Sequence, residues 1–210
     1  MNTKNAVIIY GNTCAGKSTL GKKIEKEMKI KYISFGDLKR LEIINKSSIG
    51  IILDSQIKNG KPINPLVGAR LIEKYLGLLN IISGYPISIE ELRIFRARCR
   101  CIIQGIIHLG INEIKIRQRF FNRGICQNCG YIGQLQKHCR IDDVLLVKRF
   151  DCNEDELNFR LQFYKNRILP FIQGASLSAY PMINIDTSDL SEEEIFQKAK
   201  EFLESLKIKQ

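Results

Sequence analysis

The sequence predicts an α/β fold in three layers, with a parallel β-sheet flanked by helices. Short apolar runs rich in β-branched residues alternate along the chain with segments of helical periodicity. Strands joined through helices in this way pair in parallel, with right-handed crossovers. The 210 residues, 44% of them hydrophobic and 26% charged, are enough for one substantial domain with small insertions.

Five apolar runs are the predicted strands. The first, AVIIY at residues 6–10, is apolar throughout and partly β-branched, which is typical of a parallel strand buried on both faces. The runs LNIIS and CIIQGIIHL have the same character. In chain order, the predicted strands are 6–10, 32–34, 79–83, 101–109 and 182–186.

Segments with helical spacing separate these runs. Gly60, Pro62 and Pro65 predict a turn between two of them. Near the C-terminus, Ser191 followed by Glu194 has the spacing of a capping box, which predicts a helix start. The predicted helices are 17–28, a segment that opens near residue 37, 67–76, 89–98, 158–171 and 192–206.

Cysteine content and the N-terminal sequence indicate the compartment. The chain has seven cysteines, an odd number. No apolar run reaches the roughly 18–20 residues that a membrane helix needs, and the apolar stretch at 6–10 is too short for a signal peptide. We therefore expect a cytoplasmic protein with no structural disulfides and no membrane partner.

The net charge of +11 raises the hypothesis of a nucleic-acid-binding module. However, the lysines are scattered, and no dense basic tail or arm appears. A basic chain also suits a protein that holds several phosphates of small molecules. We therefore expect no nucleic-acid partner. A nucleic-acid-binding module remains an alternative function.

Residues 11–18 read GNTCAGKS and fit the phosphate-loop pattern G-x-x-x-x-G-K-[ST], between a predicted strand and a predicted helix. Its glycines let backbone N–H groups converge on a phosphate, and the helix N-terminus adds partial positive charge. We expect Lys17 to reach the β- and γ-phosphates and the Ser18 hydroxyl to help hold Mg²⁺. The predicted nucleotide-binding residues of this segment are Gly11, Asn12, Thr13, Cys14, Ala15, Gly16, Lys17, Ser18 and Thr19.

The loop alone leaves the activity open. A glycine turn before a helix is the alternative interpretation of the pattern. If a nucleoside triphosphate binds, a GTPase, an ATPase motor and a small-molecule kinase all remain compatible with the motif.

Four segments downstream of the loop are distinctive: YISFGDLKR (32–40), KNGKPINPLVGARLI (58–72), ISGYPIS (82–88) and RFDCNEDELNFRLQFY (149–164). In this order the chain resembles adenylate kinases and their nucleoside monophosphate kinase relatives over nearly its full length. The resemblance implies a P-loop fold whose ligands are ATP and Mg²⁺ and, by analogy, a monomer. It also implies a core at 1–35, 77–118 and 153–210, an acceptor-binding insertion at 36–76 and a lid at 119–152.

The resemblance assigns roles to individual side chains. Arg40 matches the arginine that grips the acceptor phosphate, and Arg119 matches one that lies near the donor base. Guanidinium groups suit such work because their planar fork binds phosphate oxygens bidentately. The implied catalytic residues are Lys17, Arg123, Arg149, with Asp151 beside it, and Arg160. The implied acceptor-site residues are Phe35, Gly36, Arg40, Gly84, Tyr85 and Glu91.

Four positions depart from the family pattern. Ser83 stands where the family has an aspartate near Mg²⁺, and Ile87 stands where an arginine contacts the transferring phosphate. Glu91 replaces a glutamine that reads adenine, and Phe35 replaces a small hydroxylated residue beside the acceptor base. These departures favour an altered acceptor preference.

The stretch CQNCGYIGQLQKHCRID at 126–142 lies inside the expected lid. Some adenylate kinases hold a structural Zn²⁺ there through the pattern seen here at Cys126, Cys129, Cys139 and Asp142. Three thiolates and a carboxylate would give a closed tetrahedral site in a segment too small for its own core. His138 or Asp143 are alternative ligands, and a disulfide lid or a free-thiol lid are alternative states.

Taken together, these features predict a nucleoside monophosphate kinase that transfers the γ-phosphoryl group of ATP to an acceptor such as AMP. Its partners would be small-molecule nucleotides. The alternative is a catalytically degenerate family member that binds nucleotide as a sensor or structural partner.

Overall fold

A computed structural model describes residues 3–129, 131–148 and 152–207, apart from the side chains of residues 175 and 176. The strands are β1 (Lys4–Gly11), β2 (Lys31–Ser34), β3 (Leu79–Ser83), β4 (Cys101–Gly110), β5 (Arg123–Ile125), β6 (Ile132–Gln134), β7 (Val147–Lys148) and β8 (Met182–Asp186). The helices are α1 (Lys17–Met28), α2 (Phe35–Ile44), α3 (Ser48–Lys58), α4 (Pro65–Tyr75), α5 (Ile89–Cys99), α6 (Glu113–Phe121), α7 (Glu154–Phe163), α8 (Leu169–Gln173), α9 (Ala175–Ser178) and α10 (Glu192–Ser205). A π-helical turn, Tyr164–Ile168, joins α7 to α8.

The central sheet has five parallel strands in the spatial order β2-β3-β1-β4-β8. The middle strand is β1, in which Ile8 pairs with Ile82 of β3 on one side and with Ile106 of β4 on the other. All five strands coincide with the predicted apolar runs apart from one or two terminal residues. The predicted parallel α/β fold is therefore confirmed.

Both faces of β1 are covered, which explains why its sequence is apolar throughout. Ile8 packs in one hydrophobic cluster with Phe95 of α5 and with residues of α4. Val7, on the opposite face, packs with Ile24 of α1 and Phe196 of α10. The sheet thus forms the middle of three layers, as predicted.

The carboxyl ends of the parallel strands meet at one edge of the sheet, where open α/β sheets bind their ligands. At this edge β1 ends at Gly11, β3 at Ser83 and β4 at Gly110. The loop after β1 leads directly into α1, which begins at Lys17. The fold therefore presents the phosphate loop at this edge.

Helix α3 was not predicted. Its isoleucines are β-branched and weaken the helical pattern, although Ser47 caps it by accepting a hydrogen bond from the Gly50 N–H at 3.0 Å. A Cβ atom at Gly50 would lie 1.9 Å from the Glu42 carbonyl oxygen, so close packing on α2 holds this helix in place. The insertion boundaries at 36 and 76 stay a prediction.

Helix α6 was also missed, because its alternating isoleucines and basic residues imitate a strand. Asn112 caps it by accepting a hydrogen bond from the Lys115 N–H at 2.8 Å. The predicted helix 158–171 begins earlier, at Glu154, after the cap Asn153. The π-helical turn precedes Pro170, whose ring would clash with the carbonyl one turn earlier in a regular α-helix.

No helix within the described ranges is both long and apolar enough to cross a membrane.

A buried carboxylate, Glu42, ties together the three helices between β2 and β3. Glu42 is 2% exposed. Its carboxylate oxygens accept hydrogen bonds from Ser47, which precedes α3, and from Lys74 and Tyr75 of α4, each of the latter two at 2.6 Å. These hydrogen bonds, of which the one from Lys74 has the largest effect, lower the pKa of Glu42 from 4.5 to about 2. The segment therefore depends on an ionised Glu42.

We expect Glu42→Gln to destabilise the protein by about 2–3 kcal/mol at pH 7, because it removes the buried negative charge that accepts three hydrogen bonds. Lys74 is half exposed, which keeps the loss at the lower end for a buried ion pair. Since the folded-state pKa is depressed, this stabilisation is present above about pH 4.5 and is lost as the pH falls toward 2. The deficit should therefore shrink over that range, as measured by urea unfolding.

The matched control is Asp54→Asn, which removes the partner of Lys58 from an exposed pair. It should change the free energy of unfolding by no more than about 0.5 kcal/mol. Equal effects of the two substitutions at pH 7 would contradict the role given to Glu42.

Candidate active site

The loop after β1 has the geometry of an anion-binding cradle. Gly11 has φ 151° and Gly16 φ 88°, conformations that L side chains rarely adopt. A Cβ atom at Gly11 would also lie 2.6 Å from the Leu109 carbonyl oxygen of β4. Helix α1 has no side-chain cap, so the N–H groups of its first turn face the loop without a competing side-chain oxygen.

Lys17 lies across this loop. Its ammonium donates hydrogen bonds to the carbonyl oxygens of Gly11 at 2.8 Å and Asn12 at 2.7 Å. Burial lowers the pKa of Lys17 most, and the nearby charges of Arg123 and Arg160 add to this effect while Cys14 opposes it, so that the pKa is about 8. The lysine is therefore a poorly compensated cation at a site built for anions.

Arg123 and Arg160 lie close enough to Lys17 for their charges to act on it. Their guanidinium groups lie 4.8 Å and 5.7 Å from the centre of the Phe120 ring. Glu156 accepts a hydrogen bond from Arg160 Nε at 2.7 Å. In contrast, Nε and Nη2 of Arg123 are buried and have no hydrogen-bond partner among the described residues. Buried donors of this kind are costly without an acceptor, so Arg123 indicates an anionic ligand.

Arg119 connects the phosphate loop to the end of the sheet. It donates hydrogen bonds to the carbonyl oxygens of Cys14 at 3.3 Å and Thr187 at 2.7 Å. It also lines a cavity of about 240 Å³ beside Gly16 and Thr19, whose far wall includes Leu190. This partly apolar cavity next to the loop can take the base of a nucleotide whose phosphates lie on the loop.

A second cavity, of about 260 Å³, lies between the ends of β1 and β3 and helix α7. Lys17 and Arg160 supply its cations, and Ile87 lies in its lining. The opposite wall contains Phe159, Phe163 and Tyr164, which the sequence analysis did not single out. Phe159 is 64% exposed although it is aromatic. Its position four residues before Phe163 was the sequence signal that the two rings share one face of a helix.

The residues assigned to the acceptor site are not all gathered in these cavities. Gly84 lines the cavity that contains Lys17. Arg40 lies on the surface of α2 in an ion pair with Asp37, next to Gly36. Phe35 and Tyr85 are buried against each other, with ring centres 4.9 Å apart.

Glu91 is buried behind the β3 turn. Its Oε2 accepts a hydrogen bond from the Ile87 N–H at 2.7 Å, and the residue is 8% exposed. Burial raises the pKa of Glu91. Arg149 and Asp151 lie outside the described residues.

The predicted metal ligands lie together at the edge of a small antiparallel sheet formed by β5, β6 and β7. One atom each from Cys126, Cys129, Cys139 and Asp142 lies within 4.8 Å of the others. The Sγ atoms of Cys129 and Cys139 are 3.5 Å apart, and Cys126 Sγ is 3.2 Å from an Asp142 oxygen. Such spacings suit a tetrahedron with bonds of about 2.0–2.3 Å to one ion.

His138 and Asp143 were the alternative ligands of this site, and a disulfide or free thiols were the alternative states of its cysteines. His138 and Asp143 are not part of the group of four. All seven cysteines are free thiols in the structure. Cys126 and Cys139 are buried with Leu146, a core too small to fold this segment alone.

We expect the affinity for a triphosphate such as ATP to fall as the pH rises above about 8, because only the protonated Lys17 attracts phosphate. Bound phosphate stabilises the ammonium and raises its pKa, so binding near pH 8.5 should take up protons. The slope should approach tenfold per pH unit. Calorimetry between pH 7.5 and 9.5, in buffers with different ionisation enthalpies, measures both quantities.

Lys17→Met should remove this pH dependence and weaken binding. Lys22→Met, on the exposed face of the same helix, should keep both the affinity and the slope. If the affinity stayed constant up to pH 9.5 and no protons were taken up, the pKa of Lys17 would lie outside this pH range and the prediction would be wrong.

No protein-family model matches the chain. The curated adenylate kinase of Mycoplasma capricolum is 26% identical over 207 residues, which cover 92% of this chain and 97% of the relative. That of Hydrogenobaculum is 24% identical over 211 residues, which cover 94% and 99%. That of Rickettsia africae is 30% identical over 179 residues, which cover 79% and 84%. The chain therefore belongs to the adenylate kinase family.

Proposed function

We propose that this protein is an ATP-dependent nucleoside monophosphate kinase that transfers the γ-phosphoryl group of ATP to an acceptor such as AMP. The observation that carries the proposal is the group of Lys17, Arg123 and Arg160 at the phosphate loop, with two buried Arg123 nitrogens that have no partner in the described part of the chain. Three cations at one place suit a polyphosphate. The names of the curated relatives support the same activity.

The donor is proposed to bind along residues 11–19. Backbone N–H groups of the loop and the start of α1 hold its phosphates, and Lys17 exchanges its carbonyl partners for phosphate oxygens. The base lies beside Arg119. Mg²⁺, when bound with the nucleotide, would offset charge on the phosphates, and the Ser18 hydroxyl is the oxygen donor at the start of α1.

Transfer itself needs position and charge more than a reactive side chain. Arg123 and Arg160 face the position of the terminal phosphate and stabilise its charge, together with Arg149 in the same proposal. Arg123 already lies near Lys17, and closure of the lid at 119–152 would bring Arg149 to the phosphates and exclude water as an acceptor. The core at 1–35, 77–118 and 153–210 provides the rigid frame.

The acceptor is proposed to bind between the core and the insertion at 36–76. Arg40 would leave Asp37 for the acceptor phosphate, a small movement because its side chain is exposed. Gly36 and Gly84 leave room for the nucleotide, while Phe35, Tyr85 and Glu91 shape the base side. A cytoplasmic monomer that acts on small nucleotides completes the proposal.

A second candidate function rests on Ile87 and Ser83. Ile87 places an alkyl group in the cavity with Lys17 and Arg160, and Ser83 places a hydroxyl at the end of β3. A protein with these residues can bind ATP as a sensor or structural partner without transferring its phosphate. This function predicts ATP binding without a product.

The deciding experiment measures diphosphate formation from ATP and Mg²⁺ with AMP, CMP, UMP, GMP and their deoxy forms. We expect turnover with at least one acceptor, and a loss of roughly 10²–10³-fold in Lys17→Ala because one electrostatic contact to the transferring group is removed. Lys22→Ala should retain the wild-type rate. If no acceptor gives turnover above the Lys17→Ala background while ATP still binds, the sensor function replaces the kinase.

The proposal includes a structural Zn²⁺ held by Cys126, Cys129, Cys139 and Asp142. Four donors that already lie within 4.8 Å of one another support it. A closed set of four ligands leaves no open position for substrate, so the ion would stabilise the lid and take no part in the reaction.

We expect purified protein to contain about one zinc per chain by elemental analysis. Cys139→Ser should lose the metal and expose the lid to proteolysis, because its small core cannot fold alone. The control Cys99→Ala removes a buried thiol outside the lid and should retain the zinc. A zinc content below about half an equivalent in wild-type protein would reject the site.

A further inference from the structure

The ring of Tyr32, in β2, packs closely against the backbone of α1. A Cβ atom at Gly21 of α1 would lie 2.2 Å from Tyr32 Cε2, so the ring lies against bare backbone. The Tyr32 N–H also donates to Glu25 Oε1 at 3.0 Å. Helix α1, which begins with the phosphate-loop lysine, thus sets the position of the tyrosine.

The Tyr32 hydroxyl joins two serine hydroxyls from different elements. It donates a hydrogen bond to Ser18 Oγ at 3.4 Å and lies 2.7 Å from Ser83 Oγ. A phenol has one proton, so when Tyr32 donates to Ser18 it accepts the proton of Ser83. Burial raises the pKa of Tyr32, which keeps this proton in place.

The direction of these two hydrogen bonds determines which lone pairs of the serine oxygens remain available to other groups. Where Tyr32 donates to Ser18, Ser83 donates its hydrogen bond to the phenol oxygen, and the lone pairs of Ser83 Oγ stay available to accept. Ser18 accepts from Tyr32 with one lone pair and retains another. Both oxygens therefore have lone pairs available to accept, and a metal ion with its water molecules needs oxygen ligands and hydrogen-bond acceptors.

The placement suits the metal that accompanies a triphosphate. Ser18 follows Lys17 at the first turn of α1, and Ser83 ends β3, where it pairs with Ile9 of β1. Asp37 is the acidic residue whose charge acts on Tyr32, and it is already paired with Arg40. Neutral hydroxyl oxygens fit Mg²⁺, which binds few protein ligands and keeps several waters.

We infer that Tyr32 is a positioning residue for Mg²⁺–nucleotide: it turns Ser83 into an acceptor for a metal-bound water and orients Ser18 toward the metal. The hydroxyl chain thus does what a carboxylate would do at the end of β3. The inference rests on the proposed binding of a triphosphate at residues 11–18, and it does not require that the phosphate be transferred.

The test compares the affinity for ATP in excess Mg²⁺ with the affinity in EDTA, by calorimetry on the full-length protein. In wild type, Mg²⁺ should strengthen ATP binding. Tyr32→Phe keeps the ring on Gly21 but removes the hydroxyl, and should reduce the ratio of the two affinities by about 3- to 10-fold while leaving the EDTA value unchanged. Ser83→Ala should shift the ratio in the same direction.

Two further variants separate positioning from packing. Tyr75→Phe also removes a hydrogen-bonded tyrosine hydroxyl, from the Glu42 network, and should leave the ratio unchanged. The double variant Tyr32→Phe/Ser83→Asp should recover the ratio, because a carboxylate accepts hydrogen bonds without help from a tyrosine.

An unchanged ratio in Tyr32→Phe, or equal losses with and without metal, would overturn the inference. Failure of the double variant to recover the ratio would do the same. Absence of ATP binding in wild type would instead overturn the proposed function, so the two failures are distinguishable.

Discussion

Positive charge gathered at the carboxyl end of β1 is the constraint on which the rest of the structure depends. Lys17, Arg123 and Arg160 lie close enough for the two arginines to lower the pKa of the lysine. Like charges repel, and Arg123 keeps two buried nitrogens without a partner in the described ranges. The arrangement holds because the strands beneath it are rigid and buried on both faces. A polyanion bound at this site, as proposed, would offset the repulsion and supply acceptors for these nitrogens.

Two parts of the chain outside the central sheet contain polar centres. The helices between β2 and β3 are joined through the single carboxylate of Glu42. The small sheet of β5, β6 and β7 has a hydrophobic cluster of three buried residues and a group of four side chains that could hold a metal ion. The helices between β2 and β3 thus add a polar centre to their apolar contacts with the main core, whereas the small sheet has little apolar core of its own.

Two departures from the family pattern acquire a physical meaning in the structure. The hydroxyl of Ser83 is part of a chain with Tyr32 and Ser18, so loss of a carboxylate does not leave the end of β3 without an acceptor. Ile87 lies in a cavity whose opposite wall is aromatic, at Phe159 and Phe163. One cavity thus combines the cations Lys17 and Arg160 with an apolar lining at Ile87.

The sequence by itself determined the parallel sheet and the phosphate loop and predicted the group of Cys126, Cys129, Cys139 and Asp142, because these depend on local periodicity and on spacing along the chain. It did not determine α3 or α6, whose isoleucine patterns imitate strands until packing on Glu42 and the cap Asn112 decide for helix. The aromatic wall at Phe159 and Phe163, and the contact of Tyr32 with Ser18 and Ser83, come from elements far apart in sequence. Only the tertiary structure decided them, because no local pattern specifies which side chains meet at the carboxyl edge of the sheet.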